Sequence, residues 1–156
     1  MIVIKNTVKK IDIDENILAQ NAQKMLDSLG YSEFDLSIFL TTNRTIRAYN
    51  AQFRHKDKAT DILSFPFYPE LKPGERIVAT HADEANLGDM IISLEYVLKD
   101  AANWGQTFEE RMNVLLAHGI AHLLNYDHET EEEYEIMHIV EKKLLKSIGH
   151  KTPKKR

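Results

Sequence analysis

His118-Gly119-Ile120-Ala121-His122-Leu123-Leu124-Asn125-Tyr126-Asp127-His128 holds three of the chain's seven histidines in eleven residues. His118 and His122 are four apart, so on a helix they stand one turn above the other on the same face. Phe108, Met112, Val114, Leu115, Leu116, Ile120, Leu123 and Leu124 make that helix apolar over much of its circumference, the pattern of a buried helix. A stop between His122 and His128 lets the chain turn back with a third imidazole. Asn125 is the residue for that stop, because Asn tolerates the left-handed conformation that ends helices. Three imidazoles with one open position suit a catalytic Zn²⁺ site, whereas a closed structural site needs a fourth protein ligand. The plainer alternative is a pair of core imidazoles bonded to backbone carbonyls, since an unpaired buried polar group costs about 1–3 kcal/mol.

The spacing His-x-x-x-His-x-x-x-x-x-His is that of the metzincin proteases, whose first His is followed by Glu, the general base. Here Gly119 stands in that place. The spacing argues for a metal and the glycine argues against that proteolytic mechanism.

Outward from this stretch, Thr107-Phe108-Glu109-Glu110 is a capping box that opens the histidine helix, and Thr130-Glu131-Glu132-Glu133 is a second, opening a helix to about Ile148. Asp127 either supports a ligand histidine with its carboxylate or simply caps the turn between them, and the structural role is the reading preferred. Upstream, Leu87 to Ser93 is a buried strand, with Ser93 capping a helix to Trp104 that Gly105 breaks. Ile62 to Pro66 is a short strand. Arg76 to Thr80 is the best strand in the loose stretch from Tyr68 to Ala85. Asp35 to Leu40 is a strand with Leu36, Ile38 and Leu40 on one face. Thr42 or Asn43 opens a short helix with Ile46, Tyr49, Asn50 and Phe53 on one side. Asp14 caps a helix running to about Leu29, with Ile17, Leu18, Ala22, Met25, Leu26 and Leu29 at helical spacing and Gly30 as its stop. Ile2 to Asn6 is an edge strand. This order predicts an α+β fold, a mixed β-sheet packed with helices around a zincin-like metal-binding helix.

The 156 residues, 43% of them hydrophobic, are enough for one domain, drawn here over residues 1–150, with a basic tail over 151–156. No cysteine is present, which fits a reducing compartment. Met1 to Lys10 has no apolar run of signal-peptide length, and no run approaches a membrane span, so a cytoplasmic protein with no membrane partner is expected. The net charge of −4 argues against a protein that coats nucleic acid but not against a local basic groove. Arg44, Arg47, Arg54, Lys56 and Lys58 form such a basic stretch, broken by one acid, Asp57. A run of this kind is often only a solvated face. Arg54 stands out at the end of its helix, since guanidinium presents fixed paired donors that match phosphate.

The chain resembles the YbeY family of single-strand-specific, metal-dependent endoribonucleases. The family's His-Gly-x-Leu-His-Leu-x-Gly-Tyr-Asp-His is matched by His118 through His128, with Ala121 for the leucine and Asn125 for the glycine. A second block is matched by Asn50, Phe53-Arg54, Asp57 and Thr60-Asp61-Ile62-Leu63-Ser64-Phe65-Pro66. A third is matched by Leu87-Gly88-Asp89-Met90-Ile91-Ile92-Ser93. The resemblance implies one zinc ion held by His118, His122 and His128, with Arg54 as the catalytic arginine. It also implies work on the 3′ end of small-subunit (16S) ribosomal RNA and in ribosome quality control, with single-stranded RNA, small-subunit rRNA and the ribosome as partners. Two other readings remain at this point, a zinc peptidase with a different base and a non-catalytic ribosome-binding factor.

Overall fold

The computed structural model describes residues 1–150, and the basic tail expected from residue 151 onward lies outside the described residues. Four strands form one mixed sheet in the order β1-β2-β4-β3, where β1 is Ile2–Asn6, β2 Asp35–Thr41, β3 Ile62–Pro66 and β4 Asn86–Ser93. β1, β2 and β4 run parallel, and β3 pairs antiparallel with β4. The helices are α1 Glu15–Ser28, α2 Asn43–Arg54, α3 Leu94–Asp100, α4 Phe108–Leu123 and α5 Glu131–Ser147. The α+β architecture read from the sequence is therefore present, with β1 and β3 at the two edges.

Alternation divides the sheet into two faces. Leu36, Ile38 and Leu40 of β2, with Met90 and Ile92 of β4, are buried in the main core, which α1, α4 and α5 complete with Leu26, Leu116, Ile120 and Leu144. The other face is only partly roofed. There α2 lays Ile46 and Tyr49 over Leu63, Ile91, Phe39 and Phe65. The sheet is thus sandwiched unequally, and its edge strand β3 has α4 packed from one side and α2 from the other.

Local signals account for most boundaries. Asp14, Thr42, Ser93, Thr107 and Thr130 each accept a backbone N–H at a helix start. The Thr107–Glu110 capping box is complete. At Thr130 only half of it forms, because Glu133 bonds the threonine hydroxyl rather than its backbone N–H. Three expectations are corrected. Arg76 to Thr80 is not a strand: both sides of β4 are taken, and Ile77 instead donates its N–H to the Tyr31 hydroxyl while Arg76 bonds the carbonyls of Leu29 and Gly30. The helix from Leu94 tightens into a 3-10 turn over Ala101–Trp104 before Gly105. Ile17 and Phe53, for all their helical spacing with core residues, are 54% and 53% exposed.

Candidate metal centre and cleft

Glycine at position 119 is explained by packing. A Cβ there would stand 2.3 Å from Met90 Sδ and 2.8 Å from Ile62 Cδ1, so a side chain at 119 points into the sheet and away from solvent. This contact lets α4 lie close on β3 and β4. It also means that a glutamate in this place would be driven into the core, so the metzincin base has no equivalent here.

Gly119 packs against the sheet, and His118 and His122, half-buried on the adjoining face of α4, open into a cleft beside β3. After Leu123 the helix closes with a Schellman turn: Tyr126 N–H donates to the Ala121 carbonyl and Asn125 N–H to the His122 carbonyl. Asn125 takes a left-handed φ of 65°, as the sequence suggested. It does more than tolerate the turn. Its side-chain amide donates to the carbonyls of Tyr68 and Leu71, at 2.8 and 2.9 Å, and so ties the loop after β3 to the helix end. Asp127 caps the turn by accepting the His128 N–H at 2.8 Å. His128 returns with its ring centroid 5.5 Å from that of His118 and 5.2 Å from that of His122.

The ligating nitrogens of the three histidines lie within 4.8 Å of one another. Nitrogens at about 2.0–2.1 Å around a tetrahedral ion stand about 3.4 Å apart, so the cluster has the right size for zinc. Its proton arrangement fits as well. Glu141 Oε2 lies 3.0 Å from His118 Nδ1, and a carboxylate there makes Nδ1 the donor. The Tyr126 backbone takes a hydrogen bond from the other ring nitrogen of His122. Both Nε2 lone pairs then point inward, 3.0 Å apart. Two lone pairs at that distance repel unless a cation sits between them. Burial, then the neighbouring His118 and His128, lower the His122 pKa to about 4, so its imidazole is neutral at pH 7, the state a metal ligand needs.

These residues line a cleft of about 750 Å³ that follows β3 along its whole length. The histidines come from the α4 side. Arg54, the last residue of α2, comes from the other, next to His55, whose left-handed φ of 58° ends the helix. All four residues singled out in the sequence therefore share one cleft. The rest of the basic stretch does not: Arg47 is held by Asp57 at 2.9 and 3.2 Å, and Arg44, Lys56 and Lys58 do not line the cleft.

Two features escaped the sequence reading. Glu141 is 23 residues from His118 with no local pattern to link them. Arg111, an arginine inside an apolar helix two turns before His118, is 1% exposed. Its guanidinium lies 4.1 Å from the centre of the Trp104 ring and 3.6 Å from Asp61 Oδ2, which lines the cleft. This pair clamps α4 to the start of β3.

The family model described as Endoribonuclease YbeY matches residues 3–149. A protein of that name from Desulforamulus reducens is 36% identical over 152 residues, spanning 95% of this chain and 97% of its own. The Homo sapiens protein of that name is 33% identical over 151 residues, 97% of this chain and 90% of its own. One from a Sulfurihydrogenibium species is 38% identical over 148 residues, 94% and 91% of the two chains. The solution structure of a Thermotoga maritima protein shares the fold, with a TM-score of 0.56 over 100% of both chains at 24% identity. Full-length matches at this identity leave no room for a different assignment: the chain belongs to the YbeY endoribonuclease family.

Proposed function

We propose that this chain is a metal-dependent endoribonuclease, specific for single strands, that matures the 3′ end of 16S ribosomal RNA and serves ribosome quality control in the cytoplasm. Residues 1–150 act as one nuclease domain. Its partners are single-stranded RNA, small-subunit rRNA and the ribosome. One zinc ion is held by His118, His122 and His128, and Arg54 is the catalytic arginine. The observation that carries this reading is the gathering of three imidazoles and one guanidinium in a single cleft. Among the described residues no helix is long and apolar enough to cross a membrane.

When bound, zinc supplies Lewis acidity and a water of lowered pKa, near 7, without a glutamate base. The protein's part is to keep His122 neutral and to aim all three imidazoles. Glu141 fixes the His118 tautomer and the Tyr126 carbonyl fixes that of His122, while the Schellman turn at Asn125 delivers His128. Arg54 binds two oxygens of the scissile phosphodiester with its paired N–H donors and takes up the charge that grows in the transition state. Among the described residues no hydrogen bond or ion pair engages its guanidinium, which leaves those donors for the substrate. A substrate with a single 2′-deoxy sugar at the cut site separates two routes: attack by water is permitted and attack by the 2′-hydroxyl is blocked.

The test is one gel of a labelled single-stranded 3′ fragment of small-subunit rRNA. Its lanes are zinc-loaded protein, the same with chelator, and zinc-loaded Arg54→Ala with its metal content measured. Cleavage in the first lane alone supports the proposal. Equal cleavage in all three contradicts it, and absence of cleavage with zinc bound turns the reading to a ribosome-binding factor.

A further inference from the structure

The partly roofed face of the sheet holds a second concavity, of about 530 Å³, that the chemistry above leaves unused. Pairing registers build it. Val3, Ser37, Asp89 and Phe65 lie side by side across all four strands, and Lys5, Phe39, Ile91 and Leu63 form the next row. α2 lies over Phe39, Ile91, Leu63 and Phe65 and leaves Val3, Ser37 and Asp89 exposed. The wall is aromatic. Tyr49 and Phe53 are stacked at 11° with centroids 6.1 Å apart, and Phe53 meets Phe65 edge-on at 5.2 Å. Lys5 stands over Phe39 at 5.3 Å.

Phe53 and Phe65 line both this groove and the catalytic cleft. Phe53 also directly precedes Arg54, so a strand whose phosphate is held by Arg54 passes Phe53 on its way out of the cleft. Resting on the nuclease reading above, we propose that this groove is a base-stacking subsite for single-stranded RNA, which takes the nucleotides flanking the scissile bond. The charges set the polarity of the fit. Asp89 on the floor repels phosphate and accepts hydrogen bonds from exocyclic amino groups, so bases turn inward. Lys5 and Arg54 mark the two ends where the backbone runs. A half-exposed phenylalanine whose ring is already positioned by two aromatic neighbours is a ready stacking platform, and stacking is indifferent to sequence because every base has a π-face. It also gives single-strand preference a physical source, since a base inside a duplex has both faces covered by its stacked neighbours.

Two measurements test this. The first is ultraviolet crosslinking of a single-stranded RNA of about 12 nucleotides, within the range such sites track, that carries 5-bromouridine, followed by mass spectrometry. Adducts on Phe53, Phe65 or Tyr49 support the proposal, and adducts confined to other faces overturn it. The second compares cleavage of the same RNA with and without an abasic block on either side of the cut. Wild type loses roughly tenfold in kcat/KM, through KM, with a block on one side. Phe53→Ser loses a similar factor on the intact RNA and becomes indifferent to the block, and Lys5→Glu weakens both substrates alike. If wild type cleaves but ignores both blocks, the subsite is wrong and the nuclease reading stands. Crosslinks in the groove without cleavage sustain the subsite and remove the nuclease reading. Neither crosslink nor cleavage removes both.

Discussion

α4 and α2 flank the same edge strand, yet ten of the sixteen residues of α4 are buried and only two of the twelve of α2. The two helices bring their functional groups to the cleft by different physical means. His118 and His122 are aimed by a helix locked in the core, with Gly119 against Met90, Arg111 against Asp61 and Glu141 behind the first ring. Arg54 is delivered by an exposed helix end, and among the described residues no hydrogen bond or ion pair engages its guanidinium. A metal site needs several ligands fixed at once, which suits the proposed zinc site to the densely packed side. A phosphate contact needs reach and charge, which suits the proposed role of Arg54 to the side that solvent can enter. Changes on the α4 side should therefore disturb fold and metal together, and changes on the α2 side should disturb only the reaction.

The sharpest break of this contrast comes from His122→Ala. It is expected to lose zinc and all cleavage above background, which metal analysis beside the gel assay reads directly. Arg54→Ala should lose on the order of 10²–10³ in kcat, with zinc content unchanged and a melting temperature within about 2 °C of wild type. A large fall in stability would show that α2 is not the independent side. Glu141→Gln keeps the shape but weakens the acceptor behind His118, so zinc affinity should drop about 10- to 100-fold in a competition with a chromogenic chelator.

Gly119→Ala probes the packing itself. The added methyl must push Met90 and Ile62 aside, and overpacking of this kind costs about 1–3 kcal/mol, against a gain of up to about 1 kcal/mol in helix propensity. A net loss of stability in urea denaturation is expected, with weaker zinc binding alongside it. The gentlest probe is pH. The unfolded chain protonates His122 near pH 6.5, while the fold holds it neutral down to about 4. The unfolded state thus binds more protons between those values, and stability of the zinc-free protein should fall as pH drops from 6.5 to 4. It should be insensitive to this group above that window, and His122→Gln should flatten the fall.

The contrast between the helices also explains what could be read in advance. The α4 side was legible because its signals are local: an i, i+4 pair, a capping threonine and an Asn at the turn all lie within a few residues of the groups they act on. The mixed sheet was legible from the alternation in Asp35 to Leu40 and the apolar run Leu87 to Ser93. The loop from Tyr68 to Ala85 was not, because its backbone is satisfied by distant groups, the Tyr31 hydroxyl and the Asn125 amide. Glu141 and Arg111 belong to the same class. Each is placed by the packing of one element on another, α5 on α4 and α4 on β3, for which a chain read in one dimension carries no mark. Phe53 misled for the complementary reason. Its helical spacing is that of a core residue, but only one edge of its ring meets the sheet, at Phe65, and the rest faces an open groove.

His118 and His122 on α4, with His128 on the turn that follows, are proposed to hold one zinc ion that the reaction needs. The most direct measurement is a titration of chelator-stripped protein with zinc, reading cleavage of single-stranded rRNA and bound metal in the same samples. Cleavage that rises in proportion to bound zinc and levels at one equivalent, with none in His118→Ala at any zinc concentration, is the predicted result. Cleavage already present in the stripped protein, or equal in His118→Ala, would contradict it.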